Sequence, residues 1–178
     1  MKIRRVVTGH DDAGRAVVAS DEQVDGFGFA GGGGAFHMLW GTDRPAQFPD
    51  DGTPPAWTGA FPPVGGFRFL QITLPPGGSA DHPHEDEELQ TFLTEGAGLD
   101  DYMKDGEPGM HRTPTIDFEV VLSGEIGLEL DDGQEVRLRP NDVVVQNGTM
   151  HRWHNRGNTP ATMAVVVIGA NHERFAKS

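Results

Sequence analysis

The chain has 178 residues, 14 Lys+Arg against 27 Asp+Glu and no cysteine, for a formal net charge of −13. That length buries one good core and seldom two, so one domain is expected. The acidic balance repels phosphate backbones and anionic lipid, which sets nucleic-acid and membrane partners aside. Without cysteine there can be no disulfide, thiolate metal site or cysteine nucleophile, and any metal must be held by His, Asp or Glu. No apolar run is long enough to span a bilayer and no signal-peptide core follows Met-Lys-Ile-Arg-Arg, so a cytoplasmic location is expected.

Ile3 to Thr8 and Arg15 to Ala19 read as two short strands around His10-Asp11-Asp12-Ala13-Gly14, a hairpin. Residues 20 to 34 show little periodicity and end in four glycines, which predicts a flexible loop; a strand resumes at Ala35 to Trp40. Gln47 to Gly66 reads as a long, proline-broken surface segment. Phe67 to Leu74 alternates as a strand and stops at Pro75-Pro76-Gly77-Gly78. Glu85 to Met103 is the one helical stretch, with an acidic first turn, an apolar stripe of Leu89, Phe92 and Leu93, and a break at Gly96 and Gly98. Everything after Met110 is β: Asp117 to Leu122, Glu125 to Leu130, Glu135 to Leu138, Asp142 to Gln146, His151 to Asn155 and Ala161 to Ile168, joined by short turns. Short strands at near-regular spacing mean an antiparallel sandwich or barrel.

Two polar runs carry the chemistry. His111 is followed by Thr113, Asp117 and Gly124 at the spacings two, four and seven; Gly148, His151 and Asn155 follow one another at three and four. These runs resemble the two motifs of the cupin superfamily, with Thr113 in place of the second histidine, Asp117 in place of the glutamate, and the second motif's proline replaced within Gln146-Asn147. Arg4 to Asp11 and Leu39 to Asp43 are similar to segments of small bacterial single-domain cupins, so the likeness covers most of the chain. The resemblance implies an all-β double-stranded β-helix, or jelly-roll, barrel over residues 67–170. An N-terminal region of strands and loops, 1–66, would pack on it; a helical insertion, 79–109, would interrupt it; and 171–178 would form a tail.

It also implies a divalent metal held by His111, Asp117 and His151. Two imidazoles and one carboxylate on one metal face form the triad of non-haem Fe(II), which is favoured; the set also suits Zn(II), Mn(II) or Ni(II). Glu119 shares a strand face with Asp117 and is the candidate general base, or else a rim carboxylate. Thr113, Trp153 and Asn155 are expected to line the substrate pocket. His82-Pro83-His84 with Glu88 offers a competing ligand set, read here as a solvated acidic cluster. The expected function is a metal-dependent small-molecule enzyme of oxygenase-like chemistry, with a metal-dependent lyase, isomerase or cyclase, or a non-catalytic ligand-binding module, as alternatives. The edge strands of such a barrel invite pairing and the N-terminal strands can be exchanged, so a homodimer is expected.

Overall fold

Turn chemistry divides the chain into strands of four to nine residues, apart from one two-residue pairing. In the computed structural model, which describes residues 2–28, 33–77 and 103–171, these are β1 (Ile3–His10), β2 (Ala16–Val24), β3 (Phe27–Gly28), β4 (Ala35–Thr42), β5 (Phe67–Leu74), β6 (Thr115–Ser123), β7 (Ile126–Leu130), β8 (Glu135–Leu138), β9 (Val143–Gln146), β10 (His151–His154) and β11 (Ala161–Gly169). The expected helix over Glu85 to Met103 lies outside the described residues, except that Met103 forms an isolated bridge with His111; residues 104–109 are turns. His82, His84 and Glu88 also lie outside them.

Six strands make one sheet in the order β3-β4-β5-β11-β6-β9, three make a second in the order β10-β7-β8, and β1-β2 stand as a separate hairpin. The fold is all-β, a double-stranded β-helix with its core between the two larger sheets. Leu70, Leu74, Met163 and Val165 from the large sheet meet Ile126, Leu128 and Trp153 from the small one. Burying such side chains supplies the stability of the barrel, at about 25 cal/mol per Å² of apolar surface removed from water.

Two sequence expectations change. Residues 20–24, expected as loop, continue β2 and pair with Ile3–Val7 across a bulge between Val7 and Thr8. The reason is electrostatic: Arg4 donates to Asp21 at 2.8 and 2.7 Å and Arg5 to Glu22, so cross-strand ion pairs replace apolar alternation. The segment 47–66, expected at the surface, is partly interior. Ala60 and Pro62 are buried, and Arg68, fully buried on β5, gathers the carbonyls of Thr42, Phe67, Thr58 and Gly59 and the Asp43 carboxylate at 2.5 Å. A buried guanidinium needs such partners, and they hold the loop in place.

Gly124, the last residue of the first run, turns β6 into β7 at φ +74°, and a Cβ there would sit 2.6 Å from both Ala161 Cα and Pro160 O. Gly124→Ala is expected to cost about 2–4 kcal/mol, from left-handed backbone strain plus overpacking. Urea unfolding measures it.

Candidate functional site

The site grows out of β6. Its inward residues are Thr115, Asp117, Glu119 and Val121, and its outward ones Ile116, Phe118, Val120 and Leu122. Pairing on both edges holds this choice of face: Asp117 lies between Val167 of β11 and Gln146 of β9, and Glu119 between Val165 and Val144. A one-residue slip would exchange the two faces and break both ladders.

Asp117 is 6% and Glu119 4% exposed, and Gln146 beside them 3%. Thr113 and Thr115, both buried, share a hydroxyl hydrogen bond of 2.6 Å, and the Thr115 hydroxyl favours the charged form of the Asp117 carboxyl. The Thr149 hydroxyl donates to Gln146 Oε1, which fixes the amide and leaves its Nε2 directed elsewhere. Asp117 Oδ1, Glu119 Oε2 and Gln146 Nε2 find no hydrogen-bond partner among the described residues. Arg68 stands across Val167 on the same inner face, but its guanidinium is committed to Asp43 and four carbonyls.

Burial therefore acts on the acids almost unopposed. It pushes the Asp117 carboxyl up to about 6, against a smaller lowering by the Thr115 hydrogen bond. Glu119 is held well above the usual carboxylate range by burial first and by the neighbouring Asp117 charge second.

The histidines belong to the other sheet. His111 and His151 exchange backbone hydrogen bonds of 2.9 and 2.8 Å, and their rings stand 4.4 Å apart, inclined at 51°. Each Nδ1 lies 2.9 Å from a backbone carbonyl, Gly109 O for His111 and Thr149 O for His151. A carbonyl only accepts, so both Nδ1 atoms carry a proton, and in a neutral imidazole the lone pair is then on Nε2. Burial, then the His111 charge, lowers the His151 pKa to about 3, against a smaller rise from the Thr149 carbonyl. His151 is thus a neutral base at physiological pH.

An Nδ1–H anchored on a carbonyl is the form a metal-ligating imidazole takes. The pair alone, however, is short of a site. Among the described residues no group of three or more His, Asp or Glu side chains is placed to hold one metal ion. The expected ligands divide between the two sheets that face each other across the barrel, Asp117 on β6 of the six-stranded one and His151 on β10, laddered to Leu130 of the small one.

The remaining expected residues divide. Glu119 is interior rather than on the rim. Trp153 is part of the core and meets His151 edge-on at 6.1 Å, so it borders the histidines while packing the barrel. Thr113 is buried with its hydroxyl on that of Thr115. Asn155, expected in the pocket, uses its amide structurally: Nδ2 donates to Leu74 O and Thr159 O, and Oδ1 accepts from Gly157 N, which locks the turn before β11. Gln146 is the residue the sequence reading passed over, since it stands within the two positions read only as a lost proline. A groove of about 680 Å³, lined by Arg5, Val7, Trp40, Phe67 and Phe69 among others, lies outside the barrel under β1 and contains none of these groups.

Comparison with known proteins agrees with this architecture. Residues 98–168 match the family model of the cupin domain, a stretch that holds both histidines, both acids and Gln146. Over this stretch, about two fifths of the chain, the protein resembles a cupin domain. It is 56% identical over 54 residues to a phomopsin biosynthesis cluster protein C' of Diaporthe leptostromiformis, a match covering 30% of this chain and 29% of that protein. It is 36% identical over 78 residues to the cupin-domain-containing oxidoreductase fogC of Aspergillus ruber, covering 42% and 38%. Each match thus takes in well under half of the relative's own length. Among solved structures, the cupin domain of an XRE family transcriptional regulator from Enterobacter cloacae superposes with a TM-score of 0.37 at 23% identity, covering 59% of this chain and 83% of that one. No helix among the described residues is long and apolar enough to cross a membrane.

The Asp117 shift sets a pH dependence. The folded chain holds this proton more tightly than the unfolded chain, so the stability it lends is complete below about pH 4 and is lost as pH rises through about 6. In chelator-treated protein, Asp117→Asn should match the parent in melting temperature at the acid end and exceed it above pH 7. Melting curves of the two chains across this range check it.

Proposed function

We propose that the chain is a small-molecule enzyme of the cupin type that moves protons on an organic substrate, in the manner of an isomerase, lyase or cyclase. One observation carries the reading. Two carboxyl groups stand two residues apart on the inner face of β6, each with an oxygen that no described residue partners. Purely structural acids at this depth are paired, because an unpaired buried polar group costs about 1–3 kcal/mol; retained unpaired, they are candidates for function. Glu119, whose carboxyl holds its proton well above the usual carboxylate range, can donate; Asp117, which titrates near 6, can accept; Gln146 Nε2, on the neighbouring strand, can hold a substrate oxygen. In a proton shift the substrate loses one proton to Asp117 and takes another from Glu119, and both acids then re-equilibrate with solvent. His151, neutral through its lone-pair Nε2, is a second acceptor on the facing sheet.

The oxygenase reading rested on a three-ligand metal site, and the described residues contribute a pair of imidazoles. A bound divalent metal would supply Lewis-acid or redox chemistry, with His111 and His151 as its described protein donors; no step is assigned to it. Relatives such as the cupin-domain-containing oxidoreductase fogC support an oxidoreductase as the second reading.

The two readings separate on one assay. Proton-shift chemistry predicts enzyme-dependent deuterium uptake from D₂O into members of a panel of hydroxy and keto compounds, followed by NMR. Glu119→Gln should lower its rate by at least about 100-fold. Turnover that consumes oxygen and survives Glu119→Gln would replace this reading with the second. No exchange and no turnover by the parent, with ligand binding retained, would favour the binding-module alternative.

A further inference from the structure

The turn that leads into His111 is moored from outside the barrel, and the mooring carries an inference beyond the acids of β6. We propose that Arg152, on the outer face of the small sheet, is a positioning residue that sets the orientation and the protonated nitrogen of the His111 imidazole. The strand register places it there. On β10, His151 and Trp153 are buried while Arg152 and His154 point to the other face, and Arg152 lies directly opposite Glu129 of β7. The guanidinium meets that carboxylate through Nη2 at 2.8 Å to each oxygen and through Nε at 3.3 Å. Its third nitrogen, Nη1, leaves the ion pair and donates to Pro108 O at 2.8 Å.

That oxygen belongs to the peptide unit between Pro108 and Gly109. The next unit, between Gly109 and Met110, supplies the oxygen on which His111 Nδ1 rests at 2.9 Å. Gly109 stands between the two planes at φ +75°. A glycine lets the second plane swing, because no Cβ restricts it. Both planes are pinned instead: Arg152 holds the first by its oxygen, and Met110 N, which donates to Glu107 O at 3.1 Å, holds the second by its N–H. A peptide unit is planar and trans, so fixing this N–H aims Gly109 O the opposite way, at the imidazole.

The start of the turn is tied to the same strand. Lys104 N donates to Met110 O at 2.8 Å, and Lys104 Nζ reaches Glu107 at 2.8 Å and Asp131, the residue after β7, at 3.1 Å. Glu129 is steadied in turn by His154, whose Nε2 lies 2.6 Å from Oε2. His151 is anchored by other means: its Nδ1 rests on Thr149 O, and the Thr149 hydroxyl is bound to Gln146. Arg152 therefore acts on one imidazole of the pair although it is the chain neighbour of the other. An imidazole with its Nδ1–H so anchored presents Nε2 to a metal ion or to a substrate proton alike, so the inference stands apart from the proton-shift reading.

Two-bond ¹H–¹⁵N NMR of the imidazoles in the full, metal-free chain is the test, at pH 8, above the ordinary imidazole pKa of about 6.5. In the parent, His111 and His151, assigned with His111→Gln and His151→Gln, are both expected to carry the proton on Nδ1. Arg152→Met keeps the apolar stem and removes the donors. It should convert the His111 pattern to the averaged one of an imidazole exchanging between tautomers, and leave the His151 pattern as it is. Circular dichroism verifies the fold. Should this variant fail to fold, Arg152→Lys replaces it: the charge against Glu129 stays, the planar fork that joins carboxylate to carbonyl is lost, and the same change at His111 is expected. A parent with the His111 proton on Nε2, a folded variant with the His111 pattern unchanged, or one in which both rings change alike would overturn the proposal.

Discussion

The structure depends on the double pairing of β6. Held by β11 on one edge and β9 on the other, this strand can sit in one register only, and that register sends Thr115, Asp117 and Glu119 inward while Ile116, Phe118, Val120 and Leu122 face out. An isolated strand with this pattern would turn over, since burying the apolar side is worth more than burying the acids. The neighbours prevent it, because Val165, Val167 and Val144 fill the interior around the acids and their alternation locks the same phase. The barrel therefore stores an unfavourable polar interior on the strength of ladders and apolar packing elsewhere.

Both consequences follow from that one choice of face. Inside, two carboxyls are desolvated without a counter-ion among the described residues, because the buried cation on their face, Arg68, is committed to Asp43 and the carbonyls of the 58–59 loop. Outside, the apolar half of the strand has no partner within the described chain. The buried acids and the exposed apolar side chains are thus opposite faces of one strand, and a substitution that reverses its polarity would disturb both.

Much of the fold was legible because turn residues punctuate it. Ser123-Gly124, Asp131-Asp132-Gly133, Asn141 and Asn147-Gly148 marked the strand ends to within about two residues. The histidine pair was legible from spacing, since His111 and His151 stand at motif positions and meet across one bridge. What was not legible depends on long-range pairing. The extension of β2 through polar residues needs Arg4 and Arg5 opposite it, which local pattern does not show. The placement of Asp117 and His151 on different sheets comes from the pairing of β6 and β10, and spacing along the chain is silent on that. Gln146 was hidden because its role arises from Asp117 beside it and Thr149 behind it.

The central claim is that β6 buries two carboxyls without a counter-charge. Carboxyl-detected ¹³C NMR of the metal-free chain, titrated with assignments from Asp117→Asn and Glu119→Gln, tests it most directly. The account predicts that Asp117 titrates near 6 and that Glu119 remains protonated well above the usual carboxylate range. Ordinary titration of both groups near pH 4 would show that they face water or a cation, and would contradict the account.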